Sequence, residues 1–364
     1  MKRNKTMRFG ILALVLAVGV WWSLASVSSG DKGSAYPRGE FVATVEWLEA
    51  HRTDPDVLLV DVREDDYFDG QLIPGAIRMP WGQFRINDTV RNIGGMFVGA
   101  KKSQEIFGAH GITPGDTVVL YDSVERDGGA TASYVFWVLD MLGHERMRVL
   151  DGGIDAWIDA GGEVVSTPAQ REAMLYQADG DSIRQRREVT GRFIYDRLGD
   201  PYYLVLDVRS EAEYMGEKPN VGLDGSVLKL GHIPTAFNVD YRYNWSEGEG
   251  KYLKSYQALR ELYRGVDPNK GIVTYCHSGR RSSFTYFVLR VMGFEDVLLY
   301  DGSWNEWGNR KWFFPVERRR NELTGTLFSP TKQPHAQARQ MEKTRERQAP
   351  ASELPEGGYI SCGG

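Results

Sequence analysis

Cysteine is scarce in this chain: Cys276 and Cys362 are the two copies among 364 residues. Two thiols cannot form the multi-disulfide framework of a small secreted scaffold, and no Cys/His cluster has metal-ligand spacing, so neither a metal nor an organic cofactor is implied. An excess of positive charge is missing as well. With a net charge of −5 and no Lys/Arg stripe, the chain offers no electrostatic footprint for nucleic acid. Long charge-free apolar runs are confined to residues 9–25, FGILALVLAVGVWWSLA, near the lower length limit for spanning a bilayer. The basic stretch MKRNKTMR precedes that run, and Ser23-Leu24-Ala25 offers a small-x-small cleavage site after it. Residues 1–29 therefore read as a signal peptide or an N-terminal membrane anchor. The expectation is an exported protein, periplasmic or anchored to the membrane facing the periplasm.

What is present fits a globular protein of about two domains, with 41% hydrophobic and 26% charged residues. An internal repeat gives the division. LLVDVRE at 58–64 returns as LVLDVRS at 204–210, and GQLIPGAI at 70–77 returns as GHIPTAF at 231–237. VVLYD at 118–122 returns as VTYCH at 273–277, and LGHERMRVLDGGIDAW at 142–157 as MGFEDVLLYDGSWNEW at 292–307. Four blocks in one order mark a tandem duplication. Within each copy, short Val/Leu-rich runs alternate with helical patterns such as 133–142 and 283–292. In the latter, Phe284, Phe287, Val288 and Val291 fall on one face. That alternation predicts α/β domains, each a mostly parallel central sheet flanked by helices. The expected boundaries are 36–165 for the first domain, 166–190 for a linker, 191–315 for the second domain, and 316–364 for a charged, flexible tail.

The stretch TYCHSGRRS at 274–282 carries the chemistry. GIVTYC is apolar up to the cysteine and an amphipathic helix is expected from Ser282 or Ser283, so HSGRR forms a strand-to-helix loop at the carboxyl end of a parallel strand. Open α/β sheets bind ligands at that edge. Loop amides and a helix N-terminus favour an anion there, Gly279 lets the backbone curl, and Arg280 and Arg281 add two permanent charges. A cysteine in such a field ionises more readily and can face an anionic substrate such as a sulfur oxyanion. At the matching place the first copy has Asp122, in a longer loop, so the first domain has no cysteine chemistry to offer.

The tandem repeat, DVR followed by GHIP, CxxGxR after a strand, and DGSWNEW together resemble the two-domain rhodaneses, a sulfurtransferase family, over roughly residues 36–315. The resemblance implies that Cys276 accepts a sulfane sulfur from thiosulfate or a similar small donor. It then passes that sulfur as a persulfide to cyanide or a thiol, in a ping-pong scheme. His277, Ser278, Gly279, Arg280, Arg281 and Ser282 would form the substrate-binding loop, their amides cradling the outer sulfur. A protein sulfur acceptor and membrane attachment through the N-terminal segment are further partners to consider. The rivals are a sulfur carrier or redox-partner module without turnover, a mercaptopyruvate sulfurtransferase, and a phosphatase-like enzyme. Cys276 to Arg281 is C-x4-R, one residue short of the C-x5-R loop that related phosphatases need around a tetrahedral oxyanion.

One departure concerns the donor. Where many members place a substrate-binding arginine before Phe or Tyr, this chain has Glu213-Tyr214. The expectation is that Arg280 or Arg281 supplies the missing charge, with mercaptopyruvate disfavoured. Asp61/Arg63 and Asp207/Arg209 occur in both copies, which favours structure over catalysis, and Trp157 and Trp307 mark helices packed on the sheets. His232 is not needed as a general base by a low-pKa thiolate, and His277 either tunes the loop charge or lies exposed. Cys362, in the Gly-rich tail, is either an incidental thiol or one that reaches Cys276 to accept its sulfur or form a transient disulfide.

Overall fold

The computed structural model describes residues 35–180, 183–184 and 187–323. The apolar segment 9–25 and Cys362 lie outside these residues. Among the described residues, no helix is long and apolar enough to cross a membrane.

The strands are β1 (Val42–Ala43), β2 (Val57–Asp61), β3 (Ile77–Arg78), β4 (Arg85–Asp88), β5 (Ile93–Phe97), β6 (Thr117–Tyr121), β7 (Met147–Leu150), β8 (Glu188–Val189), β9 (Tyr203–Asp207), β10 (Phe237–Asn238), β11 (Gly271–Tyr275) and β12 (Val297–Tyr300). The helices are α1 (Val45–His51), α2 (Ala100–Ala109), α3 (Ala130–Met141), α4 (Gly153–Asp159), α5 (Gly191–Tyr195), α6 (Glu211–Tyr214), α7 (Tyr256–Leu262), α8 (Arg280–Val291) and α9 (Ser303–Trp307). The central strands VVLY and GIVTY are buried along their whole length, and almost wholly apolar, because both faces of a parallel sheet are covered. Five parallel strands in the order β1-β7-β6-β2-β3 make the first sheet, and β8-β12-β11-β9-β10 make the second. The two orders correspond place for place, as a duplication requires. Asp61 lies opposite Tyr121 in one sheet and Asp207 opposite Tyr275 in the other. The buried pairs Asp61–Arg63 and Asp207–Arg209 each tie a strand end to the following turn, Arg63 reaching Gln71 O and Arg209 reaching Gly231 O.

The halves meet through α3 and α8. Both helices start two or three residues earlier than the apolar pattern suggests, because Gly129 (φ 87°) and Gly279 (φ 88°), at the residue before each, turn the chain directly into helix. The single apolar face expected of 283–292 is a correction too. From Ser282 to Val291 every α8 residue is buried, since the face away from its own sheet packs on α3. Phe136 and Phe287 stack edge to face with ring centroids 5.0 Å apart, and one hydrophobic core runs through both halves. Inside this contact Asp140 of α3 accepts from Arg290 Nε at 3.0 Å and from the Tyr286 hydroxyl, with Arg187 3.5 Å away. Burial raises the Asp140 pKa, but the surrounding guanidiniums outweigh it and hold the carboxyl at about 2.

Two further expectations change. The segment expected as a linker is an ordered strap for much of its length. Ala169 N–H donates to Ala76 O (2.9 Å) and Met174 N–H to Gly108 O (2.8 Å), while the buried Tyr176 ring lies 5.2 Å from that of Phe107. A Cβ on Gly108 would sit 2.5 Å from Met174 O, so only glycine admits the strap. Its last residues form β8, an edge of the second sheet. The tail past Pro315 also docks at first, since Glu317 and His232 exchange backbone hydrogen bonds of 2.9 and 2.8 Å. A feature with no forewarning is the antiparallel hairpin β4–β5, which reaches the second half. There Phe97 N–H donates to Asp301 Oδ2 (2.7 Å) and Asn305 Nδ2 to Gly94 O (3.0 Å).

Candidate active site

Cys276 is the residue after β11, 1% exposed, at the mouth of the turn into α8. Four residues, Cys276 to Gly279, bridge strand and helix. Arg280 and Arg281 therefore belong to the first turn of α8 rather than to a free loop. Gly279 could be no other residue: beyond its positive φ, a Cβ there would lie 2.3 Å from Asp301 Oδ1.

Ser303 fixes the turn from behind. Its Oγ accepts from Cys276 N–H and from Gly279 N–H, both at 3.1 Å, and donates to Tyr300 O at 2.8 Å. It does so from a left-handed conformation, φ 51°, that costs a residue with a side chain about 1–2 kcal/mol. The Gly279 amide, expected among the sulfur-cradling groups, is thus committed to Ser303. The amides that favour the Cys276 thiolate are those of Ser278 and Ser282. Ser282 Oγ lies 2.8 Å from Gly279 O and 3.5 Å from Cys276 Sγ, so its single proton can serve the carbonyl or the sulfur. Burial pushes the Cys276 thiol up, but the Arg281 charge, the Ser282 hydroxyl and these two amides outweigh it, leaving a pKa below the ordinary value.

The first half holds the same turn with a carboxylate in it. The Asp122 carboxylate accepts N–H bonds from Gly129 (2.6 Å), Thr131 (3.0 Å) and Ala132 (3.0 Å). Their counterparts in the second half are Gly279, Arg281 and Ser282. Burial pushes Asp122 up to about 6 against those three bonds and the nearby Arg280. The turn is therefore an anion nest, and the duplicated chain carries an occupied copy of it.

The two arginines do not lie open. Arg281 forms a bidentate pair with Glu213, Nη1 and Nη2 each 2.9 Å from a carboxylate oxygen. Glu213 is 4% exposed and is itself locked as the third residue of a capping box with Ser210. Burial opposes its ionisation, but Arg281, Ser210 and Arg209 hold it well below the usual carboxylate range. Arg280 pairs with Asp127 of the first half, whose other oxygen accepts the Tyr241 hydroxyl at 2.7 Å. Both arginines expected to supply the missing donor contact thus face a carboxylate of this chain.

His277 turns its ring to Val221 O (Nε2 at 3.0 Å), and burial lowers its pKa. Ser278 presents its carbonyl to Arg85 Nη2 of the first half at 2.6 Å. The His232 ring, its pKa also lowered by burial, contacts Tyr214 O and the Tyr214 ring, with Glu317 3.8 Å away. None of these partners is in the cysteine turn. Among the described residues no cluster of three or more His, Cys, Asp or Glu side chains is placed to hold a metal ion.

Ser303, Asp301, Arg85, Asp127 and Arg126 escaped the sequence reading. Asp301, beside Gly279, accepts the Tyr134 hydroxyl (2.9 Å), and burial pushes its carboxyl up to about 6. Arg126 pairs with Glu64 and lies near Arg280; burial and that like charge push it down to about 10. Two signals were available. Position 303 is serine where the first copy has Gly153, and residues 123–129 form a longer loop than their counterparts.

The model of the rhodanese-like domain matches twice, over residues 44–160 and 192–310. A thiosulfate sulfurtransferase of Corynebacterium glutamicum is 31% identical over 305 residues, covering 81% of this chain and 96% of that protein. The sulfur carrier protein TtuD of Thermus thermophilus is 34% identical over 291 residues, covering 76% and 96%. Among solved structures, the anaerobic ergothioneine biosynthesis enzyme of Chlorobium limicola superposes with a TM-score of 0.65 at 22% identity, covering 77% of this chain and 71% of that one, a likeness of fold. Two matched domains, one occupied anion nest and one holding a cysteine place the chain in the rhodanese family, with two rhodanese-like domains in tandem.

Proposed function

We propose that this protein is a sulfurtransferase that moves sulfane sulfur from thiosulfate, or a similar small donor, to cyanide or a thiol through a persulfide on Cys276. The observation that carries the reading is the Cys276 thiol, with its lowered pKa, in a nest of the kind that holds the Asp122 carboxylate in the other half. A thiolate is the attacking species, and no general base has to be found for it. In the first step the Cys276 thiolate attacks the outer sulfur of thiosulfate. An S–S bond forms, the S–S bond of thiosulfate breaks, and sulfite leaves with the electron pair. In the second step cyanide attacks the outer sulfur, thiocyanate departs and the thiolate returns.

The nest explains why the persulfide survives between the steps. Its negative outer sulfur takes the place that carboxylate oxygens take on Asp122, facing the Ser282 amide with the Ser282 hydroxyl close by. The relatives named thiosulfate sulfurtransferase and sulfur carrier protein support sulfur as the cargo. Following the N-terminal signal-like segment, we place the protein outside the cytoplasm, facing the periplasm, soluble or held by an anchor. Mass spectrometry of the full chain after thiosulfate treatment tests the reading. A gain of one sulfur atom on Cys276, absent in Cys276→Ser, is the expected result. No adduct from thiosulfate or polysulfide would sink it.

A second reading, a carrier without useful turnover on small donors, draws support from the Thermus relative and from the pairing of both arginines with carboxylates. A persulfide that forms once but gives no sustained thiocyanate production distinguishes that carrier from the enzyme.

A further inference from the structure

Between Asp122 and α3 the first half has seven residues, 123–129, where the second half has three, 277–279, between Cys276 and α8. The extra length is used across the boundary between the halves. Gly128 O accepts from Trp245 Nε1 (3.0 Å), Val124 O from Lys251 Nζ (2.5 Å), and Asp127 engages Arg280 and Tyr241. Ala130 O, at the start of α3, accepts from Ser283 Oγ (3.3 Å). The half without a cysteine therefore contributes an acidic side chain to the cysteine turn of the other.

Asp127 and Glu213 act on the same property. A guanidinium fork recognises a carboxylate by two parallel N–H bonds, and an internal carboxylate that already fills the fork competes with any incoming one. Glu213 fills that of Arg281 with two bonds of 2.9 Å. Asp127 holds Arg280, and with side-chain exposures of 15% and 5% neither acid is free to swing into water. Thus each arginine is screened on the side where a donor's carboxylate would dock, while the Ser278 and Ser282 amides and the Ser282 hydroxyl remain directed at the sulfur.

We infer that Asp127, together with Glu213, is a specificity-determining residue that excludes carboxylate-bearing donors. It leaves the site to donors recognised through their transferable sulfur, such as thiosulfate, polysulfides and hydropersulfides. The inference rests on the sulfurtransferase reading for its donors, but its structural claim concerns the arginines alone.

The experiment is protection of Cys276 in the full chain against iodoacetamide. Pyruvate is the carboxylate probe, and chloride at matched ionic strength is the control. Wild type should need a high pyruvate concentration. Asp127→Asn, Asp127→Ala and Glu213→Gln should each be protected at about tenfold less, the effect of one charge-assisted pair becoming available. In steady-state transfer to cyanide the same variants should gain about tenfold in kcat/KM for 3-mercaptopyruvate relative to thiosulfate, most of it in KM. Unchanged or weaker pyruvate protection in the Asp127 and Glu213 variants would overturn the inference. Should the Asp127 variants fail to fold, Glu213→Gln decides alone, because glutamine keeps the capping box. If wild-type Cys276 takes no sulfur from thiosulfate, the sulfurtransferase reading falls. The pyruvate titration still decides whether the two acids screen the arginines.

Discussion

At the end of β6 the chain places a carboxylate, and at the end of β11, in the same kind of turn, a thiol. Around Asp122 everything is filled: three amides close on the carboxylate, and the backbone of Gly153 packs so near that a Cβ there would lie 2.4 Å from the Asp122 backbone O. Around Cys276 the same backbone is held differently. Position 303, the equivalent of Gly153, is serine, and its hydroxyl draws the Cys276 and Gly279 amides to the rear. The amides left on the sulfur side have no internal carboxylate to hold, only the thiol itself. One copy of the turn satisfies itself and the other is kept waiting, so reactivity arises from a missing internal partner as much as from the nucleophile.

The sharpest way to break this comparison is to exchange the residues. Cys276→Ser should abolish sulfur transfer by about a thousandfold or more in steady-state thiocyanate assays. Asp122→Cys added to that variant should not restore it. The counterparts of Arg281 and Ser282 are Thr131 and Ala132, which provide neither the charge nor the hydroxyl.

The next effect lies where the halves touch. Asp140 on α3 and Arg290 on α8 occupy equivalent places in the duplicated helices, so the copies have diverged to opposite charges that meet. Asp140→Asn would leave Arg290 and Arg187 buried without their carboxylate and should cost about 3–5 kcal/mol in urea denaturation at pH 7. The Asp140 carboxyl is depressed below its unfolded value. Its contribution is therefore present above about pH 4 and fades as the pH falls through about 2. The stability gap between wild type and variant should close across that window.

Ser303 gives a finer test. Ser303→Ala leaves two buried N–H groups without an acceptor and keeps the left-handed strain, a loss of about 2–3 kcal/mol. Ser303→Gly loses the same acceptor but relieves the strain, so it should be more stable than the alanine variant by about 1 kcal/mol. Thermal denaturation of the pair would show it. The reverse order would mean that the hydroxyl does not anchor the turn.

The smallest effect concerns β8. Glu188 pairs with Leu299 where Val42 pairs with Val149 in the first sheet. Burial, with Asp301 and Glu306 nearby, pushes Glu188 up to about 8. A carboxyl raised in this way favours the folded state below its unfolded pKa, and that advantage is lost as the pH rises toward 8. Glu188→Val should therefore gain about 1–2 kcal/mol over wild type at pH 9 and less at pH 5, measured by denaturant titration.

The sequence patterns account for much of this. Apolar runs of Val, Leu and Ile mark β2, β6, β9 and β11 because buried parallel strands need them, and the four repeated blocks give two sheets of matching order. Cys276 stands out because the thiol, glycine and arginines of its turn lie close in sequence. What was illegible depends on contacts distant in sequence. Arg85 reaches Ser278, and Asp127 reaches Arg280, across 193 and 153 positions. The strap near Met174 has no periodicity of its own, because it binds through its backbone to Gly108. The partners of Arg280 and Arg281 were hidden for a related reason: a charged side chain beside a thiol looks available until its acid is found elsewhere in the chain.

The loop at residues 123–129 bears on how the protein can be inherited. A gene duplication begins with two modules that can be exchanged, lost or recombined. Once one copy lengthens a turn and the other accepts its acid and carbonyls, a half borrowed from a relative arrives without its complement. Recombination between the copies then erases either the thiol or its neighbour. The pair has become a single unit of descent, and substitutions at Asp127 and Arg280 should be found to change together.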